Sequence, residues 1–444
     1  SMTWDRLVAG RHYTSKELII REINSNGRIT SCVWDCGNPY SRTWTSPDGI
    51  TQAVTYRDDR GSIDKHVMTP KSGSSESPIT REWTYLPYSE TSSYVDWLRF
   101  TKPTQYEDWR GKTYDYVYSN SHGGLLNRTR PTPGVGAYAS IRPQTRMAYQ
   151  SLGGGIIKPN EQSSCALSAS CNNQSTERLT TWTYNAQNKR VETLTTKGGD
   201  GSAASTTTTT YTPQGDVASI DGPLPGAGDT TWFYYDEIRR LRAEVSPDPD
   251  GSGPRRHKVT RYTYNADGNV TMEEVGHVNT PTNWASMTVT SRQEYEYDPY
   301  GRKIQEEMVY IGGAQSGQIG SLTQYSYDAL GNIKCTAQRM NPAAFSSLPD
   351  ACVLGSEGSD GPDRITRTYH NVHGQVEKVV KAYGTPLQQD YKTYDYYADG
   401  ALKSVKDANG NLTTYEYDGF NRLIKTKFPS KTTAGQSSNT EFEA

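Results

Sequence analysis

Short stretches of alternating side chains, separated by turn-forming residues, recur along most of the C-terminal part of this chain. In one of them, Tyr295 and Tyr297 stand two positions apart between polar residues. An alternation with a period of two places both rings on one face of a β-strand. The turn formers Asp298 and Gly301 follow, and alternation then resumes. The pattern therefore predicts a β-hairpin.

The same phrase, in which an aromatic anchor is in most copies followed by Asp or Asn and then by Gly or Asn, returns nine times. The anchors are Tyr184, Tyr211, Tyr235, Tyr264, Tyr297, Tyr327, His370, Tyr396 and Tyr417. Asp or Asn follows the anchor in seven copies. The fourth position after the anchor is Gly in six copies, at Gly215, Gly268, Gly301, Gly331, Gly374 and Gly400. Such a repeated unit is one supersecondary element that stacks on copies of itself.

Within the phrase, Asp is expected to cap a turn, and Gly is expected where the backbone adopts a positive φ. Asn188 and Asn421 take the place of Gly in two copies, and only Arg239 breaks the pattern. The tyrosines are expected to line a sheet. We therefore predict structural anchors and no catalytic residues at Tyr264, Gly268, Tyr297, Asp298, Gly301, Tyr327, Asp328, Gly331, Tyr396, Gly400, Tyr417 and Asp418.

The composition favours wide sheets over a solid core. Hydrophobic residues make up 33% of the chain, and the mean hydropathy is −0.81. Such polarity is typical of disorder, but disordered chains are poor in aromatic residues and this one has 32 tyrosines. No long segment has the 3.6-residue apolar period of a helix. We expect an all-β fold.

Charge and motifs exclude several function classes. The net charge is −2 without a basic patch, which argues against nucleic acid, and no apolar run is long enough for a membrane span. His370 and His373 lack a nearby acidic or Cys partner, and the segment from Asp248 to Asp250 lacks the remaining ligands of a calcium loop. No nucleotide or protease motif is present. We therefore expect no metal and no cofactor.

Six cysteines form three close neighbours, and each pair brackets a loop. The pairs are Cys32 with Cys36, Cys165 with Cys171, and Cys335 with Cys352. Six cysteines permit fifteen pairings, and the clustering favours local disulfides, above all the last pair. The alternative is six unrelated buried thiols. Disulfides would indicate an oxidising compartment.

The distribution of tryptophans and of the repeated phrase divides the chain into two regions. Residues 3–170 contain six of the nine tryptophans and only imperfect copies of the phrase, so we expect diverged β-repeats or a leading β domain there. Residues 171–444 hold the array of nine copies, which we expect to be truncated at its C-terminus. Ser1 and Met2 are interpreted as a remnant of expression.

The phrase resembles the YD repeat of the bacterial RHS family, which includes Rhs effectors, B and C components of insecticidal toxin complexes, wall-associated proteins and animal teneurins. The resemblance is firm from about residue 180 to 430. It implies hairpins joined into one strongly curved, spiralling sheet that forms part or all of a hollow shell. It also implies a non-enzymatic protein, secreted or on the cell surface, that encapsulates or displays a C-terminal toxin. The expected partner is then the rest of the same polypeptide with that cargo.

Two other functions remain open at this point. The chain could be an adhesion module that binds a glycan or protein ligand at the cell surface, as in teneurins. It could also be a secreted carbohydrate-active enzyme, which would need two carboxylates on the order of 5–10 Å apart in a cleft. A β-propeller is the alternative fold, but the intervals between anchors are too short and irregular for its blades.

Overall fold

The computed structural model describes residues 20–23, 29–34, 41–45, 49–56, 63–85, 102–132, 140–165, 173–251 and 253–443. Within these ranges the chain consists of β-strands, turns and two short 3-10 helices, Pro281–Ser286 and Pro342–Ala344. The all-β fold class expected from the sequence is confirmed.

The strands alternate with turns along the whole described chain. The first fifteen are β1 (Ile20–Ile23), β2 (Ile29–Trp34), β3 (Ser41–Thr45), β4 (Thr51–Tyr56), β5 (Ile63–Thr69), β6 (Ile79–Tyr85), β7 (Pro103–Glu107), β8 (Thr113–Tyr118), β9 (Leu125–Thr129), β10 (Gln144–Ser151), β11 (Ile157–Cys165), β12 (Glu177–Tyr184), β13 (Val191–Gly198), β14 (Ser205–Tyr211) and β15 (Val217–Asp221). The remaining strands are β16 (Thr231–Tyr235), β17 (Leu241–Val245), β18 (His257–Tyr264), β19 (Val270–Val278), β20 (Thr288–Tyr297), β21 (Lys303–Val309), β22 (Ile319–Tyr327), β23 (Ile333–Arg339), β24 (Arg364–His370), β25 (Val376–Lys381), β26 (Gln389–Tyr396), β27 (Leu402–Asp407), β28 (Leu412–Tyr417), β29 (Leu423–Pro429) and β30 (Ser437–Glu443).

Each strand pairs antiparallel with the next, from β1–β2 to β29–β30, so the thirty described strands form one continuous meander. The sheet runs without a break through both regions that the sequence suggested. The proposed boundary near residue 170 falls in the connection between β11 and β12, part of which lies outside the described residues.

The nine repeated phrases all form the turns that follow even-numbered strands, from β12 to β28. Because successive turns of a meander alternate between its two edges, these nine turns lie along one edge, which we call the repeat edge. The longer connections that follow odd-numbered strands lie along the opposite edge, the loop edge. The two edges of the sheet therefore differ. Similar turns recur on the repeat edge, and most insertions of variable length lie on the loop edge.

A register shift occurs at the anchor of every hairpin in the array. In the hairpin of β20 and β21, Glu296 pairs with Gln305 but Tyr297 pairs with Lys303, so one residue of β21 is left unpaired. The same shift precedes the anchors from Tyr184 to Tyr417. A bulge of this kind increases the local twist of a strand pair. The repeated phrase thus introduces twist at regular positions along the sheet.

Apolar cores form where a connection folds over one sheet face. One core contains Ala243, Val245, Val259, Val278 and Met287, beside the first 3-10 helix. A second contains Cys335, Ala337, Ala351 and Ile365, beneath residues 341–362. A single sheet has no second layer over its faces, so it offers fewer buried positions for apolar side chains than a two-layer domain, in keeping with 33% hydrophobic residues.

Two distant parts of the sheet touch edge to edge. The connection at residues 70–76, between β5 and β6, lies on the loop edge and contacts the turn at residues 418–421 on the repeat edge. Since the intervening strands form one continuous sheet, this contact requires the sheet to turn back on itself through a full circuit. We call the contact between these two segments the seam.

Candidate functional site

In four of the nine copies an aspartate, Asp236, Asp298, Asp328 or Asp418, follows the anchor and holds the turn. One carboxylate oxygen of Asp298 accepts hydrogen bonds from the backbone amides of Tyr300 and Arg302, both at 2.9 Å. The other accepts from the Arg302 guanidinium at 2.7 Å. The backbone amide of Gly301 donates to the carbonyl of Asp298 at 2.9 Å. Asp236 and Asp418 make the same set of bonds in their own turns.

These bonds determine the charge state of the turn carboxylates. Burial raises the pKa of Asp298, but the Arg302 amide and guanidinium lower it more strongly, so its pKa lies below the ordinary value. The pKa of Asp418 is lowered in the same way by Arg422. The carboxylates are therefore ionised hydrogen-bond acceptors at neutral pH. Protonation would remove the charge that holds both amides and the guanidinium.

The position four residues after the anchor is in the left-handed region in most copies, with φ of +76° at Gly301 and +87° at Gly331 and Gly400. Arg239, which breaks the sequence pattern, has a φ of +69°, so its turn keeps the geometry without Gly. The expectation for Asn188 is wrong. In that copy the amide of Lys189 donates to the carbonyl of Asn185, and Lys189 carries the positive φ because the turn is one residue longer.

Six anchor tyrosines, Tyr184, Tyr211, Tyr264, Tyr297, Tyr327 and Tyr396, join their hairpin to the preceding one through the hydroxyl group. The hydroxyl of Tyr327 donates to the carbonyl of Lys303 at 2.6 Å, and Lys303 is the residue paired with the preceding anchor, Tyr297. Tyr297 in turn donates to the carbonyl of Val270 at 2.8 Å. The hydroxyls of Tyr264 and Tyr396 bond in the same way to Leu241 and Val376. Each bond satisfies a backbone carbonyl at the register shift and couples two hairpins side by side.

Arginines of the turns extend this coupling. The guanidinium of Arg302, bound to Asp298, lies 4.6 Å from the ring centre of Tyr327, the next anchor. Arg240 stacks on Tyr264 at the same distance. Such cation–π contacts stabilise by about 0.5–1 kcal/mol at exposed sites. In these two turns the arginine contacts both the carboxylate of its own turn and the anchor ring of the next hairpin.

The His370 anchor makes a different contact with the turn that precedes it. In the preceding turn, Asn332 stands where three other copies have Arg240, Arg302 and Arg422, and its side-chain amide donates to Asp328 at 3.0 Å. The imidazole Nδ1 of His370 lies 3.8 Å from the same carboxylate. Asn269 stands at the same position before Tyr297, so this asparagine is not specific to the histidine anchor.

The seam is held by backbone and side-chain bonds. The amide of Lys71 donates to the carbonyl of Gly419 at 3.2 Å, and the amide of Gly419 donates to Glu76 Oε1 at 3.3 Å. The Lys71 ammonium donates to Asn421 Oδ1 at 3.5 Å and lies 3.9 Å from Asp399 Oδ2. A Cβ on Gly419 would stand 2.4 Å from a Ser74 oxygen, so this approach requires glycine.

A cavity of about 330 Å³ opens beside the seam. It is lined by Lys71, Tyr397, Asp399, Glu416, Tyr417 and Ile424. The rings of Tyr397 and Tyr417 meet edge to face, with their centres 6.2 Å apart, and the Tyr397 hydroxyl donates to the carbonyl of Tyr415. The cavity therefore combines fixed aromatic surfaces with charged groups of both signs.

The largest insertion, residues 341–362, is fixed by a disulfide and a buried ion pair. Cys335 and Cys352 are joined with an S–S distance of 2.05 Å. Arg339, fully buried, binds Asp363 Oδ2 at 2.6 Å and Gln324 at 2.8 Å. It also donates to the carbonyls of Val353, Pro349 and Asp350. This arginine therefore satisfies carbonyls of a loop that would otherwise be buried without partners.

The other cysteines are described only in part. Cys165 is buried and disulfide-bonded. Cys36 and Cys171 lie outside the described residues, and for Cys32 only the backbone strand is described. The pairings expected for these four cysteines remain predictions.

Within the described ranges, no three His, Cys, Asp or Glu residues stand close enough to hold a metal ion. In the same ranges no helix is both long and apolar enough to cross a membrane. The carboxylates of Asp298, Asp328 and Asp418 are each bound within their own turns.

Two turns with the same chemistry were missed by the sequence analysis. Asp108 accepts from the amides of Arg110 and Lys112, and Asp407 accepts from those of Asn409 and Asn411. Both turns follow odd-numbered strands and lie on the loop edge. The signal was Asp-x-x-Gly without a preceding tyrosine anchor, at Asp108 to Gly111 and at Asp407 to Gly410. A search that required the aromatic residue could not find them.

The fold and the repeated turn define a β-repeat protein made of tandem hairpins. Residues 396–433, which contain the last two anchors, match the model of the RHS Repeat family. This match identifies an RHS repeat in the chain and confirms the resemblance stated from the sequence. No curated protein matches the chain at a significant level.

Several solved structures show a distant likeness. The crystal structure of TcdB2-TccC3-Cdc42 is 12% identical, with 92% of this chain and 26% of that chain covered and a TM-score of 0.29. The Photorhabdus luminescens Tc holotoxin pore, mutation TccC3-D651A, is 11% identical, with 94% and 25% covered and a TM-score of 0.28. A porin-like protein from Bacteroides uniformis is 11% identical, with 61% and 92% covered and a TM-score of 0.22. At these TM-scores the likenesses carry no argument, and the chain spans about a quarter of the toxin-complex chains.

Proposed function

We propose that this chain is a non-enzymatic wall segment of an exported RHS-type shell that encapsulates or displays a polypeptide. The seam carries this proposal, because a continuous sheet whose loop edge meets its own repeat edge encloses space. The RHS repeat at residues 396–433 supports it. The disulfide between Cys335 and Cys352 supports a secreted or surface location, since such bonds persist in oxidising compartments.

The enclosed partner would be the C-terminal part of the same polypeptide, and a test requires that polypeptide. The full-length product is treated with a protease, and survival of its C-terminal fragment is followed against the same fragment expressed alone. Enclosure predicts much slower digestion within the full-length product. Equal rates of digestion would refute encapsulation.

A seam variant makes the test specific. In Gly419→Val, the added side chain collides with Ser74, Glu76 and Pro70 across the seam. Protection of the C-terminal fragment should fall, while Gly228→Val, in a connection where a Cβ meets nothing within 4 Å, should keep it. Equal protection in both variants would show that the seam does not close the wall.

A second candidate function, binding of a surface glycan, is favoured by the cavity beside the seam. Aromatic faces from Tyr397 and Tyr417 and polar groups from Glu416 and Asp399 suit a hydroxyl-rich ligand. A glycan array would test it, with Tyr397→Ala as the matched variant. Binding that survives this substitution, or no binding at all, would remove the candidate.

A further inference from the structure

One face of strands β6 to β12 carries arginines, while the carboxylates of these strands lie on the other face. Residues that pair across antiparallel strands share a face of the sheet. From β8 to β12 one such row consists of Tyr116, Arg128, Thr145, Ser164 and Arg178. The carboxylates of β6 to β12 alternate with these positions and belong to the opposite face; they are Glu82, Glu107, Asp115, Glu161 and Glu177. We call the face with the row from Tyr116 to Arg178 the arginine face.

Aromatic rings extend the arginine face towards β6. Trp83 pairs with Tyr106, and Tyr106 pairs with Tyr114, which lies two residues before Tyr116 in β8. The ring centres are 5.2 Å apart in the first pair and 5.7 Å apart in the second. Arg81, two residues before Trp83, adds a third arginine at this end. The face therefore combines a strip of three adjoining rings with arginines on both sides of it.

The three arginines of this face have no counter-ion. Within the described ranges, none of them forms an ion pair. On the opposite face, by contrast, the Lys65 ammonium lies 2.8 Å from the Glu82 carboxylate. The pKa of His66, the cross-strand neighbour of Arg81, is lowered by burial and by the positive charge of Arg81. Positive charge that the chain itself leaves unpaired favours an anionic partner.

The spacing of the arginines indicates which kind of anion fits. Arg128 and Arg178 stand three strands apart in one row, which is roughly 15 Å at about 4.8 Å per strand. Each strand of a nucleic acid duplex carries a charge about every 3.4 Å, so most of its phosphates would lack a cation on this face. A polymer with fewer charges matches the spacing better. The aromatic strip offers flat apolar surfaces with polar tips, on which a sugar ring can pack.

We propose that the arginine face binds a linear acidic glycan, a polysaccharide that carries carboxylates on some of its sugar rings. The glycan runs across the strands, the arginines bind its carboxylates, and the strip from Trp83 to Tyr114 contacts its sugar rings. This surface is separate from the cavity beside the seam, and binding here does not depend on enclosure of a polypeptide.

Isothermal titration calorimetry of the 444-residue chain with polygalacturonate at low salt tests this inference. Arg128→Gln combined with Arg178→Gln removes two positive charges from the arginine face. The matched control, Lys65→Gln combined with Lys197→Gln, removes two positive charges from the opposite face. A third variant, Tyr106→Leu, removes the central ring of the strip. Circular dichroism checks that every variant keeps the β-sheet spectrum.

The unchanged chain and the control should bind polygalacturonate equally well. The double arginine variant should bind about a hundredfold more weakly, since a hydrogen bond to a charged group contributes roughly a factor of ten. Tyr106→Leu should weaken binding by about two- to tenfold. Dextran, which is neutral, should not bind.

Four results would overturn the inference. They are an unchanged chain that does not bind polygalacturonate, a control that loses as much affinity as the double arginine variant, equal binding of dextran, and tighter binding of single-stranded DNA or polyglutamate. The last result would assign the arginine face to a nucleic acid or to an acidic peptide.

Discussion

Removing the guanidinium of Arg339 should release the insertion at residues 341–362 from the sheet. The Arg339 side chain is fully buried and its partner Asp363 is 4% exposed. In Arg339→Met, the buried carboxylate loses its cation, and the carbonyls of Pro349, Asp350 and Val353 lose their donors. Breaking a buried pair by removing one partner costs about 3–5 kcal/mol. The disulfide would still hold Cys352 to β23, so the expected change is local opening.

Amide hydrogen exchange of residues 341–362 measures this opening directly. A loss of about 3–5 kcal/mol corresponds to exchange that is roughly a hundred- to a few thousandfold faster. The control is Arg364→Met, which removes an exposed arginine from the neighbouring strand β24. An acceleration below about tenfold for Arg339→Met would refute the argument. So would equal acceleration in the control.

The pH dependence of the same opening follows from Asp363. Burial raises its pKa, but the amides of Met340 and Gly355 and the Arg339 guanidinium outweigh that effect, and the pKa lies below the ordinary value of 3.8. A lowered folded-state pKa means that the stabilisation is fully present above the unfolded pKa. It is lost as the pH falls through the folded value. Exchange of the insertion should therefore be independent of this group at neutral pH and accelerate only below about pH 3.8.

Three further substitutions test the repeat itself. Tyr327→Phe removes the hydroxyl bond to Lys303 and should cost about 1 kcal/mol in urea unfolding, whereas Tyr300→Phe, at an exposed ring, should cost nothing. Gly301→Val should cost about 1–2 kcal/mol through its positive φ, and a melting temperature equal to that of the starting chain would contradict this. Glu307→Gln should raise the melting temperature at pH 7. Burial, with Glu296 and Glu294 nearby, raises the pKa of Glu307, so its ionised form destabilises the fold. The gain should vanish below pH 4.5, where Glu307 is protonated in both the folded and the unfolded chain.

The hairpins could be predicted from the sequence because their signals are local. Asp298 and Gly301 lie within four residues of each other, and the bonds they make stay inside one turn. The same locality explains the errors. The left-handed position is taken by Lys189 and not by Asn188, because this turn is one residue longer than the others. Counting a fixed four residues from the anchor does not detect the extra residue.

The connections between hairpins could not be predicted, because they join residues separated by insertions of variable length. Tyr327 reaches Lys303 across one hairpin, and Lys71 reaches Gly419 across most of the chain. The tyrosine was expected to line a sheet, which follows from alternation, but its hydroxyl partner depends on the register shift in the preceding hairpin. Nothing in the phrase specifies how many hairpins complete a circuit.

The coupling between hairpins explains why the phrase can vary and the wall can still form. A turn can contribute a side-chain oxygen that accepts backbone amides, a backbone carbonyl at the register shift, and a surface for the next anchor. A copy can lose one of these groups and keep the others, as Arg239 replaces Gly and His370 replaces Tyr. Twist from the repeated register shifts accumulates from hairpin to hairpin. The curvature that brings residues 70–76 to residues 418–421 is therefore a property of the whole array, and long insertions on the loop edge leave it intact.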